Sequence, residues 1–132
     1  MSVKKILTVD DYPLAAYTTK KTIEAFSTHK CKIKDFENSL TLLEVFKQDP
    51  EDIDMVITDY EMPELRGSEL IKELRKIKPS IKVVVVSAWL DSTIGEDEHM
   101  VKKELKELNP DYILSKPFPD NWIVKLDEIL AQ

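Results

Sequence analysis

The chain has 132 residues, of which 42% are hydrophobic and 33% are charged, and its formal net charge is −6. This length fits one domain with a real hydrophobic core, and this composition argues against both a disordered chain and a membrane protein. The negative charge argues against a large nucleic-acid surface, while the single cysteine, Cys31, excludes an internal disulfide framework and fits a reducing cytoplasm.

Short apolar runs alternate with amphipathic segments along the chain, which indicates an α/β architecture. The runs predict five strands, at Val3–Val9, Cys31–Phe36, Ile53–Thr58, Ile81–Val86 and Tyr112–Leu114. Lysines alternate with apolar residues in the second run, so we expect it to be an edge strand. Three of the other runs are nearly continuously hydrophobic, which is typical of strands covered on both faces of a parallel sheet.

Helical patterns fill the intervals between these strands. The first helix is predicted to follow Pro13 and to run to about Ser27; the second is capped by Asn38 or Ser39 and ends at Asp49-Pro50. The other three carry apolar residues at helical spacing, at Leu70, Ile71, Leu74 and Ile77, at Val101, Leu105 and Leu108, and at Trp122, Leu126, Ile129 and Leu130. Five strands and five helices in strict alternation predict one doubly wound α/β domain over residues 1–132.

Polar side chains follow the ends of four of the five predicted strands. In an open parallel sheet, ligands bind just beyond the carboxyl ends of the strands. Asp10 and Asp11 follow the first strand, Asp59 follows the third, Ser87 ends the fourth, and Lys116 follows the fifth. We therefore expect three carboxylates, one hydroxyl and one ammonium group to converge on a single rim of the sheet.

Three neighbouring carboxylates repel one another, so this rim needs a positive charge to be stable. Magnesium is the natural choice, because it is a hard cation that prefers oxygen ligands. Lys116 gives a second positive group, and Ser87 gives a hydroxyl donor. Together these groups are suited to binding a tetrahedral dianion beside a carboxylate nucleophile.

The chain resembles the receiver domain of two-component response regulators over essentially its full length. The resemblance rests on the order and strand-end placement of Val9-Asp10-Asp11, Asp59-Tyr60-Glu61-Met62-Pro63 with Gly67, Ser87-Ala88, and Lys116-Pro117-Phe118. It implies a CheY-like, flavodoxin-like fold: a parallel sheet of strand order 2-1-3-4-5 flanked by five helices.

The resemblance also implies a role for each residue of the rim. Asp59 would be the phospho-acceptor. Magnesium, with manganese as a possible substitute, would be held by Asp10, Asp11, Asp59 and the backbone carbonyl of Glu61. Ser87 would bind a phosphoryl oxygen in the modified state, and Lys116 would pair with the acceptor or its phosphate.

The function implied by this resemblance is signal transduction by phosphorelay. The donor would be a phosphohistidine on a sensor histidine kinase or a histidine phosphotransfer protein, and the modified chain would change its binding to a downstream protein. The chain would promote its own phosphorylation and dephosphorylation without being a multiple-turnover enzyme. We expect a cytoplasmic monomer or weak homodimer that contacts neither nucleic acid nor membrane directly and has no attached output domain.

Two features depart from the family pattern. Receiver domains often carry an aromatic residue three positions before the lysine, but here that position is Ile113, and Tyr112 is predicted to lie on the opposite strand face. The segment from Ser87 to Lys116 is longer than usual, with the extra residues around Leu90 to His99. We expect this insertion to reshape the partner-binding face near the fourth helix.

Other interpretations stay open from the sequence alone. A hydrolase of the haloacid-dehalogenase type also uses an aspartate nucleophile and magnesium, but it usually places its two aspartates two residues apart after the first strand, whereas Asp10 and Asp11 are adjacent. A phosphorylation-independent interaction module would keep the fold without the chemistry, which the complete acid triad and the lysine oppose. The chain could also be a receiver fragment of a larger kinase or regulator.

Overall fold

The computed structural model describes residues 3–60, 62, 65–87, 103–115 and 118–132. Its strands are β1 (Lys4–Val9), β2 (Cys31–Phe36), β3 (Met55–Asp59), β4 (Lys82–Ser87) and β5 (Tyr112–Ser115). Its helices are α1 (Pro13–Phe26), α2 (Ser39–Gln48), α3 (Gly67–Ile77), α4 (residues 103–108) and α5 (Trp122–Leu130), with a 3-10 turn at Pro50–Asp52. The predicted alternation is confirmed, and every strand lies within two residues of its predicted bounds.

The five strands form one parallel sheet in the order β2-β1-β3-β4-β5. The chain winds to one side of β1 to form β2 and to the other side to form β3, so the strand order switches at β1 and opens a crevice there. β1 and β3 are direct neighbours, and Val9 pairs with Thr58. The residues that follow β1 are therefore placed beside the end of β3.

Two apolar layers cover the two faces of the sheet. One layer contains side chains of α2, α3 and α4, including Phe46, Leu74 and Leu105. The other contains side chains of α1 and α5, including Ile23 and Leu126. All five residues of β3 are buried, as predicted for a strand covered on both faces. Among the described residues, no helix combines the length and the apolar character that crossing a bilayer requires.

Local chemistry explains where the helices begin and end. Pro13 stands in the first turn of α1, where its missing N–H leaves no hydrogen bond unmade. Asn38 is the N-cap of α2, because its Oδ1 accepts from the backbone N–H groups of Leu40 (2.7 Å) and Thr41 (3.3 Å). After α4, Asn109 has a φ of 49°, a left-handed conformation that asparagine tolerates better than most residues.

The second strand is the edge strand that its lysines predicted. Lys32 and Lys34 are exposed, whereas Ile33 and Phe36 are buried. The Nζ of Lys34 lies 5.5 Å from the ring centroid of Phe36. Ile33 packs in the layer of α1 and α5 and Phe36 in the layer of α2, α3 and α4, so both faces of β2 contribute to the core. Lys32 and Lys34 extend into solvent at the open edge of the sheet.

The other edge strand, β5, separates its two large side chains. Tyr112 packs in the layer formed by α1 and α5, and Ile113 packs against the layer formed by α2, α3 and α4. The prediction that these residues lie on opposite strand faces is confirmed. The predicted insertion, Leu90 to His99, lies outside the described residues.

Candidate metal and phosphoryl site

Three carboxylates meet at the carboxyl ends of β1 and β3. One carboxylate oxygen from each of Asp10, Asp11 and Asp59 lies within 4.8 Å of the other two. Asp10 is 8% exposed and Asp59 is 9% exposed, whereas Asp11 is exposed to solvent. Closely spaced, hard oxygen donors of this kind suit magnesium or manganese. The residues present therefore fit a divalent metal ion.

Asp10 is fixed by hydrogen bonds to the two elements next to it. Its backbone N–H donates to the carbonyl of Phe36 at the end of β2 (3.1 Å). Its Oδ1 accepts from the backbone N–H of Tyr12, which precedes α1 (2.9 Å). The carboxylate is thus oriented by backbone contacts before any ligand binds.

Asp59, the last residue of β3, lies in a firmly anchored stretch of backbone. It pairs with Val86 of β4, and its carbonyl accepts from Thr58 Oγ1 at 3.0 Å. The next residue, Tyr60, donates its backbone N–H to the carbonyl of Val86 at 2.9 Å. The carboxylate of Asp59 therefore extends from a backbone that is held on both sides.

The start of α3 packs directly against this backbone. The N–H of Gly67 donates to the carbonyl of Tyr60 at 3.1 Å. A Cβ at residue 67 would fall well inside van der Waals contact of the Asp59 carbonyl oxygen and 3.0 Å from the Cα of Tyr60. Only glycine allows this close approach without a shift of the backbone.

Ser87 reaches the same edge of the sheet as Asp59. It is the last residue of β4, it is 1% exposed, and it follows Val86, the residue that pairs with Asp59. Ser87 itself pairs with Ser115 of β5, after which the chain continues to Lys116. Lys116 and Glu61 lie outside the described residues, so their roles stay predictions.

Sequence reasoning did not single out Thr8, which lines the same small cavity as Asp10. Thr8 is 2% exposed, and within the described part of the chain its Oγ1 has no hydrogen-bond partner. Together with Asp10, Thr19 and Phe118, it lines a cavity of about 30 Å³. The sequence feature that could have drawn attention to Thr8 is its hydroxyl, because it stands between Leu7 and Val9 in an otherwise apolar run.

Comparisons with known proteins place the chain in a family. The family model described as the response regulator receiver domain matches residues 6–126. The chemotaxis protein CheY of Thermotoga maritima is 38% identical over 72 residues, which cover 54% of this chain and 54% of that protein. The chain spans 8% and 20% of the length of two other curated relatives.

Solved structures show the same fold. A response regulator receiver domain protein from Clostridium thermocellum superposes with a TM-score of 0.80 at 24% identity, over 97% of this chain and 94% of that chain. The receiver domain of the Francisella response regulator 1452 superposes with a TM-score of 0.77 at 27% identity, over 97% of each chain. Because the family match covers nearly all of the sequence and the sheet has the same topology, the chain belongs to the response regulator receiver domain family.

Proposed function

We propose that this chain accepts a phosphoryl group on Asp59 from a phosphohistidine of a sensor histidine kinase or a histidine phosphotransfer protein. The modified form then binds a downstream protein with altered affinity. The observation that carries the proposal is the cluster of three carboxylate oxygens within 4.8 Å at the switch in strand order. We also propose that this phosphoryl transfer takes place in the cytoplasm, because a chain with a single cysteine has no internal disulfide and fits a reducing compartment.

In the proposed reaction, a carboxylate oxygen of Asp59 attacks the phosphorus atom. The phosphorus–nitrogen bond of the donor breaks, and its electron pair stays on the imidazole nitrogen. Because the transition state of phosphoryl transfer is loose, positioning and charge neutralisation supply most of the acceleration. Magnesium, when bound, supplies positive charge beside the phosphoryl oxygens. Its proposed ligands are Asp10, Asp11, Asp59 and the backbone carbonyl of Glu61.

Ser87 and Lys116 complete the proposed site. The Ser87 hydroxyl donates to a phosphoryl oxygen, and the Lys116 ammonium pairs with the acceptor carboxylate before transfer and with its phosphate afterwards. The phosphoryl group becomes part of the protein as an acyl phosphate. The chain is thus a phospho-acceptor, because a single transfer leaves the protein itself phosphorylated.

Mass spectrometry after incubation with acetyl phosphate tests this chemistry. With Mg²⁺ we expect one added phosphoryl group on Asp59, and with EDTA we expect none. Asp59→Asn should not be modified. Asp35→Asn is a matched control, because Asp35 is a half-buried carboxylate near the end of β2 that pairs with Lys20 instead of joining the cluster. Modification of Asp59→Asn to the wild-type level would contradict the proposal.

The donor is tested by transfer from autophosphorylated sensor kinases. A panel of labelled kinases is mixed with the chain, and the label is followed with time. Loss of label from a kinase with matching gain on Asp59 supports the phosphorelay. Repeated release of phosphate from small phosphoesters, with no label held by the protein, would instead favour a hydrolase.

A further inference from the structure

The residue after the acceptor, Tyr60, connects the candidate site to α4. Its side chain is 1% exposed and packs in the layer of α2, α3 and α4. Its hydroxyl donates to Oε1 of Glu104, in α4, at 2.9 Å. Its backbone is bound to Val86 of β4 and to Gly67 of α3. The position of the Tyr60 ring is therefore tied to the backbone that carries Asp59.

Glu104 is an ionised acceptor for this hydrogen bond. The pKa of Glu104 is lowered, chiefly by a hydrogen bond from Ser68. Burial raises this pKa, but the hydrogen bond from Tyr60 and the positive charge of Arg66 lower it further. The Arg66 guanidinium lies 5.8 Å from the centroid of the Tyr60 ring. A hydrogen bond to a carboxylate is stronger than one between neutral groups, so this contact can hold α4 in place.

The other end of α4 is fastened separately. Arg75 of α3 donates to the carbonyl of Leu108 and, at 3.0 Å, to the carbonyl of Asn109. These bonds satisfy carbonyls at the C-terminal end of α4 and attach that end to α3. The contact of Glu104 with Tyr60 is made by the residue that follows the acceptor, whereas the contact of Arg75 involves no residue of the candidate site. Of the two contacts, the Tyr60 contact is therefore the one adjacent to the acceptor in the chain.

We propose that the hydrogen bond between Tyr60 and Glu104 is the contact through which the state of Asp59 sets the position of α4. The inference rests on the proposed function. β5 places Ile113 on the α4 side of the sheet and directs Tyr112 to the other face, whereas the Tyr60 ring lies on the α4 side. Tyr60 is a positioning residue, because its role is to act on α4 and not on the phosphoryl group.

The direction of the coupling follows from linkage. The bond is made in the unmodified chain. In the proposal it is broken in the modified form, so it stabilises the unmodified arrangement relative to the modified one. Removal of the bond lowers the stability of that arrangement relative to the modified one. A ligand that mimics the phosphoryl group must then bind more tightly, because it no longer works against this contact.

Tyr60→Phe tests the proposal by removing the hydroxyl alone. Beryllofluoride, a phosphoryl mimic, is titrated with Mg²⁺ at saturation, and the amide NMR signals of Leu105 and Leu108 are followed. We expect Tyr60→Phe to bind beryllofluoride about threefold more tightly or better. We also expect its α4 signals to lie closer to the bound positions before any ligand is added. Thermal unfolding of each variant verifies that it is folded.

Tyr112→Phe is the matched control, because it removes a tyrosine hydroxyl from the opposite layer, and it should titrate like the wild type. Glu104→Gln keeps the size of the acceptor but not its charge, and should shift the affinity in the same direction as Tyr60→Phe. Unchanged or weaker binding by Tyr60→Phe, with normal binding by the wild type, would overturn this inference alone. Failure of the wild type to bind beryllofluoride would overturn the proposed function, and this inference with it.

Discussion

Two buried threonines on neighbouring strands differ in the hydrogen bonds that their hydroxyls make with the described residues. Thr58 of β3 is 0% exposed and donates to the carbonyl of Asp59 at 3.0 Å. Thr8 of β1 is 2% exposed, and its Oγ1 has no partner among the residues that the structure describes. An unpaired buried hydroxyl loses its contact with water and gains nothing in return.

Replacement of each threonine by valine keeps the shape and removes the hydroxyl. We expect Thr8→Val to raise the free energy of unfolding by about 1 kcal/mol and Thr58→Val to lower it by a similar amount. Urea denaturation of the two variants, each compared with the wild type, measures both changes. A loss of stability in Thr8→Val comparable to that in Thr58→Val would contradict this prediction.

Gly67 allows α3 to begin against the backbone of the acceptor. We expect Gly67→Ala to lower the free energy of unfolding by roughly 1–3 kcal/mol, because the added methyl group collides with the Asp59 carbonyl. This cost exceeds the fraction of a kcal/mol that alanine gains in a first helical turn. Lys76→Ala, on the exposed side of α3, should change stability little in the same denaturation assay. Equal stability of the two variants would contradict the clash.

Single residues differ in how well the sequence predicts them. Asp10, Asp11 and Asp59 were predictable as neighbours, because the carboxyl ends of adjacent parallel strands meet at one edge. The bond between Tyr60 and Glu104 was not, because it joins residues 44 positions apart through the orientation of a buried ring. Periodicity assigns such a ring to the core but does not say which polar group its hydroxyl reaches.

Among the elements, α5 is joined to the turn between α1 and β2 by hydrogen bonds to one carboxylate, that of Asp127. Asp127 accepts from Ser27 Oγ (2.5 Å), from Thr28 N (2.9 Å) and from Thr28 Oγ1 (2.9 Å). Burial raises the pKa of Asp127, but the hydrogen bonds from Ser27 and Thr28 outweigh it, so the pKa lies below its ordinary value of 3.8. The ionised carboxylate therefore stabilises the contact between the two segments.

The stabilisation by Asp127 has a defined pH dependence. Because its folded-state pKa is lowered, the contribution is complete above the ordinary value of 3.8 and is lost as the pH falls through the lower folded-state pKa. Asp127→Asn should thus be less stable than the wild type at pH 7, and the difference should shrink in strongly acidic solution. Urea denaturation over a pH series measures this. The exposed neighbour Glu128→Gln serves as the control, and a difference that grows on acidification would contradict the prediction.

The sequence predicts the bounds of a strand well where the strand is a continuous apolar run that is covered on both faces of the sheet. One instructive difference is the end of β3, which continues through Asp59 instead of stopping at Thr58. Asp59 keeps strand pairing because Val86 of β4 lies opposite it. The sequence marks a change of polarity at Asp59, but the length of the neighbouring strand decides where the ladder stops.

For the molecule as a whole, repulsion among the carboxylates of the acidic cluster lowers the stability of the fold. Asp10 and Asp59 are nearly buried, and their carboxylate oxygens lie within 4.8 Å of each other. Two carboxylates at such a distance repel by roughly 3 kcal/mol or more at an effective dielectric constant of about 20. A bound cation offsets this repulsion, and so does neutralisation of one carboxylate. The stability of the whole chain should therefore depend on divalent metal.

Thermal unfolding in Mg²⁺ and in EDTA tests this dependence. We expect Mg²⁺ to raise the Tm of the wild type, because binding to the folded state alone stabilises it. Asp11→Asn should raise the Tm in EDTA and reduce the increase that Mg²⁺ causes. Glu51→Gln, an exposed acid in the 3-10 turn, should change neither. The same Tm in Mg²⁺ and EDTA would argue against a metal site at this cluster.

The lysines along β2 also govern how copies of this protein meet. A second molecule that extended the sheet by pairing with β2 would bring its own Lys32 and Lys34 against the same residues of the first. Like charges would then be pressed together and stripped of water, which makes intermolecular strand addition unfavourable. The open side of the sheet is thereby protected from fibril-like stacking, even in concentrated solution.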